Sequence, residues 1–371
     1  MDKLNPLSRV TPQPGSLHSI IILLLTICLL SISCSKDNLD EIEPLSELSE
    51  IIDSTLNASI QENDPGIVIA VVYNGMPTLK KGYGMANIEN DIPADPDTPY
   101  YICSISKSFT AVATLICQEQ GLLNVNDKIN EYFPEFPEEW SQITIHQLLV
   151  HRSGIPDWIN DLLYYPDGII NEEAIQHVLD NSALNFEPGT EWKYCNTGYT
   201  ILAELIQKVS GKAFETFVKE NIFDPLNMTS TLFYSEDSPE ILDRAIGYAA
   251  DGSISDYTLR TVGSTGVITS VNDMLLWDKA LYSEQIISQE LLDLAWTEHT
   301  EAAIADYYGY GFSLGNINGH KAVFHTGGFR AFRCMFIQVH EMEYAFMVFS
   351  NGTYSKLLFE LSEIVSDYYF P

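Results

Sequence analysis

Ser104 and Lys107 form a Ser-x-x-Lys pair at the start of a predicted helix. A serine hydroxyl is a weak nucleophile until a neighbouring base accepts its proton. Positions i and i+3 share one face of a helix, so Lys107 is expected beside Ser104. The helix N-terminus adds backbone N–H groups and a positive dipole end, which stabilise an oxyanion and favour a deprotonated lysine. By itself the pair also fits an N-cap serine followed by an exposed lysine, so other residues must decide.

Two further elements carry polar side chains that fit the same chemistry. A Tyr-x-Asn sequence occurs at residues 194–196, after a predicted turn at residues 188–192. A His-Thr-Gly-Gly run at residues 325–328 ends a predicted strand, and its glycines let a substrate approach the strand edge closely. Each element alone is typical of an ordinary turn. Their combination with Ser-x-x-Lys is what indicates a catalytic site.

The elements that must position these residues lie at both ends of the chain. Residues 66–84 hold two β-rich runs on either side of Asn74-Gly75, which is a strong hairpin signal. Four more apolar runs between residues 308 and 352 predict strands, and a helix follows at about 354–369. We therefore predict an α+β fold, an α/β sandwich. An antiparallel sheet from about 60–100 and 300–371 is flanked by helices, and a mainly helical region of about 104–300 is inserted.

The three polar elements, in this order and setting, resemble the serine β-lactamase and penicillin-binding-protein superfamily. More narrowly, they resemble the branch that holds class C β-lactamases, D-alanyl-D-alanine carboxypeptidases and related esterases. That branch carries Ser-x-x-Lys, Tyr-x-Asn and Lys/His-x-Gly. The stretches at residues 148–155 (LLVHRSGI), 186–190 (FEPGT) and 308–312 (YGYGF) are also similar to this family. The resemblance extends from about residue 48 to the C-terminus.

The resemblance implies catalytic roles for five side chains. Ser104 would attack a carbonyl and form an acyl-enzyme that water then hydrolyses. Lys107 and Tyr194 would share the general-base work, and which of them accepts the serine proton directly stays open. Asn196 would hydrogen-bond the acyl amide and help to position Lys107. His325 stands where many relatives carry lysine; it would relay a proton to the leaving group, with a charge that depends on pH near neutrality.

The resemblance also implies how a substrate would be held. The backbone N–H groups of Ser104 and Gly328 would form the oxyanion hole. Thr326 and Gly327 would line the edge against which the substrate lies. The arginines at positions 330 and 333 either bind a substrate carboxylate, which suits the guanidinium fork, or are ordinary surface residues.

The function implied is a serine hydrolase that cleaves amide or ester bonds in a D-alanyl peptide, a lactam or an ester. His325 in place of lysine removes a fixed cation that faces a drug's carboxylate, which disfavours a dedicated β-lactamase. One alternative is an esterase of the same fold. Another is a non-catalytic penicillin or peptidoglycan sensor, which would keep Ser104 but deacylate poorly.

The N-terminus predicts export. Residues Ser19–Ser33 are apolar and uncharged, and two basic residues precede them, so we read residues 1–33 as a signal peptide. Cys34 follows in a context that resembles a bacterial lipoprotein site, and lipid on this cysteine would anchor the protein on a membrane. An ordinary cleaved signal or an uncleaved anchor are the alternatives. We predict an acidic tether at residues 34–46, a hydrolase domain at 47–371, and a location in the bacterial cell envelope, on the periplasmic or outer-membrane face.

Composition limits the partners. The 371 residues include 51 Asp+Glu and only 19 Lys+Arg, a net charge of -32, which disfavours binding to nucleic acid. We expect a monomer that takes a small-molecule or peptide substrate and needs no cofactor. No metal site is expected, because the histidines at 146 and 151 lack a clear third ligand. The four cysteines after the export region, at 103, 117, 195 and 334, are widely spaced, so buried free thiols are expected.

Overall fold

A computed structural model of the chain describes residues 42–160, 168–181, 183–235, 237–257 and 259–371. The predicted signal peptide, Cys34 and the tether up to residue 41 lie outside the described residues, so their assignments stay predictions. Within the described ranges, no helix combines the length and the apolar character that crossing a bilayer requires.

Most strands belong to one large antiparallel sheet. The strands are Ile67–Tyr73 (β1), Met76–Tyr83 (β2), Met85–Asn87 (β3), Ile92–Pro93 (β4), Tyr100–Tyr101 (β5), Leu232–Phe233 (β6), Val267–Thr269 (β7), Thr300–Ala302 (β8), Ala305–Tyr308 (β9), Ser313–Ile317 (β10), His320–Phe329 (β11), Phe332–Val339 (β12) and Tyr344–Ser350 (β13). The large sheet has eight strands in the order β2-β1-β13-β12-β11-β10-β9-β8. Strand β1 pairs with β13 in a register that sets Ile67 opposite Ser350. The two ends of the chain therefore complete one sheet, which confirms the predicted α+β fold.

Helices cover both faces of this sheet. The α-helices are Ile42–Ser59 (α1), Ser106–Glu119 (α2), Ile129–Tyr132 (α3), Ile145–Leu149 (α4), Asn171–Leu179 (α5), Asn196–Ser210 (α6), Phe214–Val218 (α7), Asp224–Leu226 (α8), Val271–Ala280 (α9), Gln289–Ala295 (α10) and Ser355–Tyr369 (α11). Short 3-10 turns occur at Cys103–Ile105, Glu138–Trp140 and His340–Met342, and a π-helical turn occurs at Lys219–Phe223. Helix α11 packs against β12 and β13 on one side of the sheet.

Alternation along β12 separates the two faces of the sheet, because successive side chains of a strand point in opposite directions. Met335 and Ile337 line a cleft together with Phe359 of α11. On the other face, Gln338 hydrogen-bonds to Asp278 of α9, and Cys334 lies in the row that faces the 3-10 turn Cys103–Ile105. The face opposite α11 is thus the face against which the Ser-x-x-Lys segment is held.

Helix α2 is the centre of the helical layer. Every residue from Ser106 to Cys117 is buried, and a helix that is buried all round belongs to a core rather than to a surface. Phe109 stacks on Trp277 of α9 with ring centroids 4.3 Å apart. Gly121 follows the helix with φ 71°, as expected for the residue that ends it.

The local turn predictions hold, whereas the helical region is less regular than predicted. Asn74 and Gly75 both have positive φ, 51° and 70°, which is the tight hairpin turn that joins β1 to β2. A three-stranded sheet in the order β5-β7-β6 lies within and beside the region expected to be helical. Within the region predicted to be mainly helical, helix α4 extends only over Ile145–Leu149, and positive φ at His151 and Gly154 prevents it from continuing.

Asp278 is a buried carboxyl group that lies between α9 and the sheet. Its Oδ1 accepts a hydrogen bond of 2.6 Å from Gln338 Nε2, while Gln338 Oε1 is buried and has no hydrogen-bond partner among the described residues. Burial raises the pKa of Asp278 to about 7, and the bond from Gln338 lowers it only partly. A protonated carboxyl group can donate a hydrogen bond, so the orphaned oxygen of Gln338 is consistent with a proton on Asp278.

We expect Asp278→Asn to stabilise the protein at pH 8. The pKa of Asp278 is raised on folding, so its contribution to stability is complete below pH 4 and is lost as pH rises through about 7. An asparagine is neutral at every pH and carries N–H groups to donate. The free energy of unfolding should therefore exceed that of the wild type by about 4 kcal/mol at pH 8 and match it near pH 4. Denaturant titrations at the two pH values measure this.

Asp293→Asn is the matched control for that prediction. Asp293 also accepts a glutamine amide, at 2.8 Å from Gln289 Nε2, but on the exposed surface. Its replacement should change stability little at either pH. A gain at pH 8 in both variants, or in neither, would contradict the role assigned to burial of Asp278.

Candidate active site

Ser104 lies in the 3-10 turn Cys103–Ile105, directly before helix α2. Its neighbours Cys103 and Ile105 are buried, whereas Ser104 itself is partly exposed. Ser106 secures the turn, because its Oγ donates to the Cys103 carbonyl at 2.6 Å and accepts from the Val267 N–H at 3.0 Å. The Ser104 hydroxyl is thus held at a helix N-terminus, where the backbone favours negative charge.

Strand β11 passes directly against this turn at Gly327. A Cβ atom at position 327 would overlap the Ile102 carbonyl oxygen and lie 3.0 Å from the Cβ of Cys103. Only glycine allows the strand to approach so closely. The predicted third element is therefore brought beside the first, with Gly328 exposed at the next position.

Lys107 is fully buried and places its amine beside the serine. Its Nζ lies 3.3 Å from Ser104 Oγ, 2.8 Å from Asn196 Oδ1 and 2.6 Å from the Ser264 carbonyl oxygen. The amide and carbonyl oxygens can only accept hydrogen bonds. A neutral amine would give its two hydrogens to these oxygens and turn its lone pair toward the Ser104 hydroxyl.

The environment makes the neutral amine accessible near pH 7. Burial lowers the pKa of Lys107 to about 7, although the charge of Asp157 acts in the opposite direction. A lysine in ordinary solvent keeps its proton to a pH above 10. Removal from water disfavours the ammonium form, and this prepares Lys107 to accept a proton.

Asn196 begins helix α6 and is held by a residue that the sequence interpretation missed. Asp157 accepts the Asn196 backbone N–H at 3.1 Å and its Nδ2 at 3.0 Å. This leaves Asn196 Oδ1 directed at Lys107. Burial raises the pKa of Asp157, and its hydrogen bonds to Asn196 lower it. The one sequence signal that could have pointed to Asp157 is its position between two apolar residues, Pro156 and Trp158.

Tyr194 packs its ring against the same amine. The ring centroid lies 4.8 Å from Lys107 Nζ, and the hydroxyl oxygen is buried without a full hydrogen bond to any described residue. Burial raises the pKa of Tyr194, and the nearby Ser104 hydroxyl lowers it only partly. On the far side the ring packs on His151, 4.3 Å between centroids, whose Nδ1 accepts the Cys195 N–H at 3.2 Å. The phenol is thus held neutral within the cluster.

His325 joins the cluster from strand β11 but is held as a neutral ring. Its Nδ1 lies 2.7 Å from the Thr326 carbonyl oxygen and its Nε2 lies 3.0 Å from the Tyr308 hydroxyl. A carbonyl only accepts, so Nδ1 carries the hydrogen and Nε2 accepts from Tyr308. Burial and the charge of Lys107 lower the pKa of His325 to about 3. The expected titration near neutrality is therefore wrong, and the ring presents no free N–H for a proton relay.

Thr326 does not share the face of the other site residues. In the sheet register His325 pairs with Phe336 and Gly327 with Cys334, whereas Thr326 pairs with Met335. The Thr326 side chain is exposed and lines the cleft beside helix α11. Alternate residues of a strand face opposite sides, so the Thr326 side chain faces away from Ser104. The place expected for Thr326 and Gly327 along the substrate edge stays a prediction.

The two arginines considered for a substrate carboxylate differ in their surroundings. Arg333 donates from Nε to Ser355 Oγ at 2.9 Å and from Nη1 to the carbonyl of Arg330 at 2.7 Å. These contacts give Arg333 a structural role in the β11–β12 turn. Arg330 has φ 49° in that turn and lies over the ring of Phe329 at 5.8 Å.

Histidines 146 and 151 lie in different surroundings and do not combine into a metal site. His146 Nδ1 lies 2.7 Å from the Tyr310 hydroxyl, and His151 packs under Tyr194. In the part of the chain that the structure describes, no group of three or more histidine, cysteine or acidic side chains is placed to hold a metal ion. The four described cysteines are free and buried, as expected.

Comparisons with known sequences agree with this arrangement. The family model described as "Beta-lactamase" matches residues 51–365. Penicillin-binding protein 4* of Bacillus subtilis is 30% identical over 293 residues, which cover 72% of this chain and 64% of that protein. Protein flp of Staphylococcus aureus is 29% identical over 317 residues, covering 81% of this chain and 62% of the relative. The chain thus spans less than two thirds of the length of these relatives.

Solved structures show the same fold. The octameric penicillin-binding protein homologue from Pyrococcus abyssi superposes with a TM-score of 0.74 at 28% identity, covering 83% of this chain and 74% of that one. The D-amino acid amidase from Ochrobactrum anthropi superposes with a TM-score of 0.76 at 21% identity, covering 87% of this chain and 98% of that one. The second likeness, at this identity, concerns the fold alone.

Proposed function

The chain belongs to the β-lactamase family of serine hydrolases, and from that premise we propose that Ser104 forms an acyl-enzyme with a carboxylic amide or ester. The observation that carries the proposal is the buried Lys107 amine, 3.3 Å from Ser104 Oγ. Two carbonyl-type acceptors take its hydrogens, and its pKa is lowered to about 7 by burial. This is the arrangement that activates a serine without a histidine.

In the proposed reaction Lys107 is the direct base. Ser104 Oγ attacks the carbonyl carbon while its proton passes to the lone pair of Lys107. The backbone N–H groups of Ser104 and Gly328 are the proposed oxyanion donors. The lysine proton then leaves with the departing amine or alkoxide by way of the Tyr194 hydroxyl. Water hydrolyses the acyl-enzyme by the same groups in reverse order.

Tyr194 is assigned the relay rather than the base because of its surroundings. Burial raises its pKa, so a phenolate would be costly near pH 7. Asn196 and Asp157 are assigned positioning roles, since both act through Lys107 and the start of helix α6. His325 is assigned an acceptor role, with the Tyr308 hydroxyl as its partner.

Asp157→Asn should shift the pH dependence of acylation toward lower pH while activity persists. The negative charge of Asp157 raises the pKa of Lys107 against the effect of burial. Its removal lets Lys107 lose its proton at a lower pH, so the acidic limb of the acylation rate should move down by about one unit or less. The rate of a chromogenic ester or lactam, followed from pH 5 to 9, measures this.

Asp180→Asn is the control for that shift, since Asp180 is exposed at the end of helix α5 and accepts a hydrogen bond from Gln176 of the same helix. Its profile should match the wild type. If the acidic limb of the acylation rate stayed at the wild-type pH in Asp157→Asn, the charge of Asp157 would not act on the group whose titration sets that limb. If both variants moved alike, net charge rather than position would explain the shift.

For the substrate we propose an amide whose scissile bond adjoins a D-configured residue, as in a D-alanyl peptide. The relatives include a penicillin-binding protein, and the fold is shared with a D-amino acid amidase and a D-stereospecific amidohydrolase. An ester substrate is the second candidate. It is favoured by the neutral His325, because no lysine stands at this position to bind a substrate carboxylate.

The test is intact-protein mass spectrometry after mixing with benzylpenicillin, together with turnover of paired D- and L-amino acid amides and of a short ester. A lasting adduct on Ser104 with D-amide turnover would support the peptidase. Turnover of the ester without turnover of either amide would favour the esterase over the peptidase. A lasting adduct without turnover of any substrate would indicate a sensor. Absence of both adduct and turnover would overturn the proposal.

We also propose that the protein is exported and held on a membrane by lipid on Cys34. The apolar segment Ser19–Ser33 and the small residue before Cys34 support this. Radiolabelled palmitate should enter the wild type and Cys28→Ala but not Cys34→Ala. Equal labelling of the two variants would contradict the proposal that Cys34 carries the lipid.

A further inference from the structure

Two buried thiols meet beneath the nucleophile turn. Cys334 Sγ lies 3.5 Å from the Tyr101 carbonyl oxygen, and Cys103 Sγ lies 3.9 Å from the same oxygen. Burial raises the pKa of the Cys103 thiol, and the proximity of Cys334 raises it further. Both are free and buried. Cys103 directly precedes Ser104, so the state of this thiol pair bears on the position of the nucleophile.

Gly327 links the positions of the two thiols, because it pairs with Cys334 in the sheet and packs against Cys103. Gly327 of β11 pairs with Cys334 of β12, so the two positions share one face of the sheet. A Cβ atom on Gly327 would lie 3.0 Å from the Cβ of Cys103. Directly opposed Cβ atoms in an antiparallel pair are about 4.5–5.5 Å apart, and a disulfide needs about 3.5–4.5 Å. Cys103 therefore lies over Gly327, at the position that pairs with Cys334, and both sulfurs lie near the same Tyr101 carbonyl oxygen.

The backbone at Cys103 gives no reason for a cysteine there. Its φ is 55°, a left-handed conformation that is unfavourable for a residue with a Cβ and favours glycine or asparagine. In this conformation Cys103 Sγ lies 3.9 Å from the Tyr101 carbonyl oxygen, which Cys334 Sγ also approaches. By contrast, Cys195, which also adjoins site residues, points its thiol at the Ile155 carbonyl oxygen at 3.4 Å.

We propose that Cys103 and Cys334 form a redox pair, which hydrogen peroxide converts to a disulfide that ties the nucleophile turn to strand β12 and slows acylation at Ser104. One thiol reduces the peroxide O–O bond, becomes a sulfenic acid and releases one water. The second thiol then attacks that sulfur, forms the S–S bond and releases the hydroxyl group as a second water. Two thiols are thus oxidised by two electrons, and one peroxide is reduced to two waters.

Oxidation should be slow but selective. Burial raises the pKa of the Cys103 thiol, so little thiolate is present at neutral pH. A peroxide is small and uncharged, which suits it to a buried site better than a bulky disulfide reagent. Once one sulfur is oxidised, the contact between the two thiols favours closure over further oxidation.

The disulfide would act on the rate through the position of Ser104. The two sulfurs must approach to about 2 Å, which draws Cys103 toward β12. Ser104 is the next residue, and its Oγ must stay near Lys107 Nζ, now 3.3 Å away. A displacement of about 1 Å at a reacting group can cost on the order of a hundredfold in rate. This effect on rate rests on the proposed function, whereas formation of the disulfide does not.

The experiment treats the purified protein with hydrogen peroxide and maps its disulfides by mass spectrometry of a non-reduced digest. Acylation by a penicillin or turnover of an ester is measured before treatment, after treatment, and after reduction with dithiothreitol. Cys334→Ala removes one partner, and Cys334→Ser is a second variant in case the alanine form does not fold. Cys117→Ala is the matched control, because it removes another buried cysteine of helix α2, far along the helix from Ser104.

We expect a Cys103–Cys334 peptide in the wild type and in Cys117→Ala, with at least about a tenfold loss of acylation rate that dithiothreitol reverses. Cys334→Ala should form no such peptide and should lose little activity under the same treatment. Absence of the cross-linked peptide would overturn the redox pair. A cross-link with an unchanged rate would overturn its effect on Ser104. If the reduced wild-type protein is acylated by none of the probes, the proposed function fails. The peptide map still shows whether the Cys103–Cys334 disulfide forms.

Discussion

Ser104→Ala is expected to abolish covalent labelling by any acyl probe and to lower turnover by at least about a thousandfold. The variant lacks the oxygen that would bond to the acyl group, while the base, the oxyanion donors and the fold remain. Ser104 is partly exposed and its contact to Lys107 is 3.3 Å long, so its loss should not lower stability appreciably. Intact mass after mixing with a penicillin, steady-state turnover and thermal unfolding are measured on the same preparation.

Ser108→Ala is the matched control for this variant. Ser108 lies in helix α2 and is buried, and its Oγ donates back to the Ile105 carbonyl oxygen at 2.8 Å, at the start of the helix. The control should keep its labelling and turnover within a fewfold of the wild type. Turnover by Ser104→Ala at the wild-type rate, with its fold intact, would remove Ser104 from the mechanism.

The second large effect is expected when Lys107 and Tyr194 are changed separately. Lys107→Met removes the amine but keeps the length of the side chain, and acylation should fall by about 10²–10⁴-fold. Tyr194→Phe removes only the relay hydroxyl, so acylation should fall less, by about ten- to a hundredfold. The decisive difference is in the pH profile. The wild type and Tyr194→Phe should show a rate that rises with pH through about 7, the pKa of Lys107.

The acylation rate rises with pH, rather than falling, because the neutral form of Lys107 is the one that reacts. The neutral amine is the base, so the rate is low below pH 7 and reaches its plateau above it. In Lys107→Met the limb near pH 7 should be absent from the residual rate. If the limb vanished in Tyr194→Phe and persisted in Lys107→Met, the tyrosine would be the direct base. Unfolding must be followed in parallel, because Lys107→Met leaves the Asn196 and Ser264 oxygens without their donor.

Much of the architecture could be predicted because it depends on local spacing. The hairpin at Asn74-Gly75 needs only two residues that tolerate positive φ. The Ser-x-x-Lys pair needs only one turn of helix to bring its members to one face. The opposite faces of His325 and Thr326 also follow from strand alternation.

Residue types and their spacing establish which side chains are available for chemistry and how neighbours along the chain are placed. The charge states of those side chains depend on how the whole chain is folded. Lys107 meets Asn196 and Ser264 across separations of 89 and 157 residues, and Asp157 enters the site from a loop that no motif marks. Burial among these distant residues lowers the pKa of Lys107, keeps His325 neutral and keeps the proton on Tyr194. Desolvation depends on everything packed around a group, and that packing is a property of the fold rather than of any short stretch of residues.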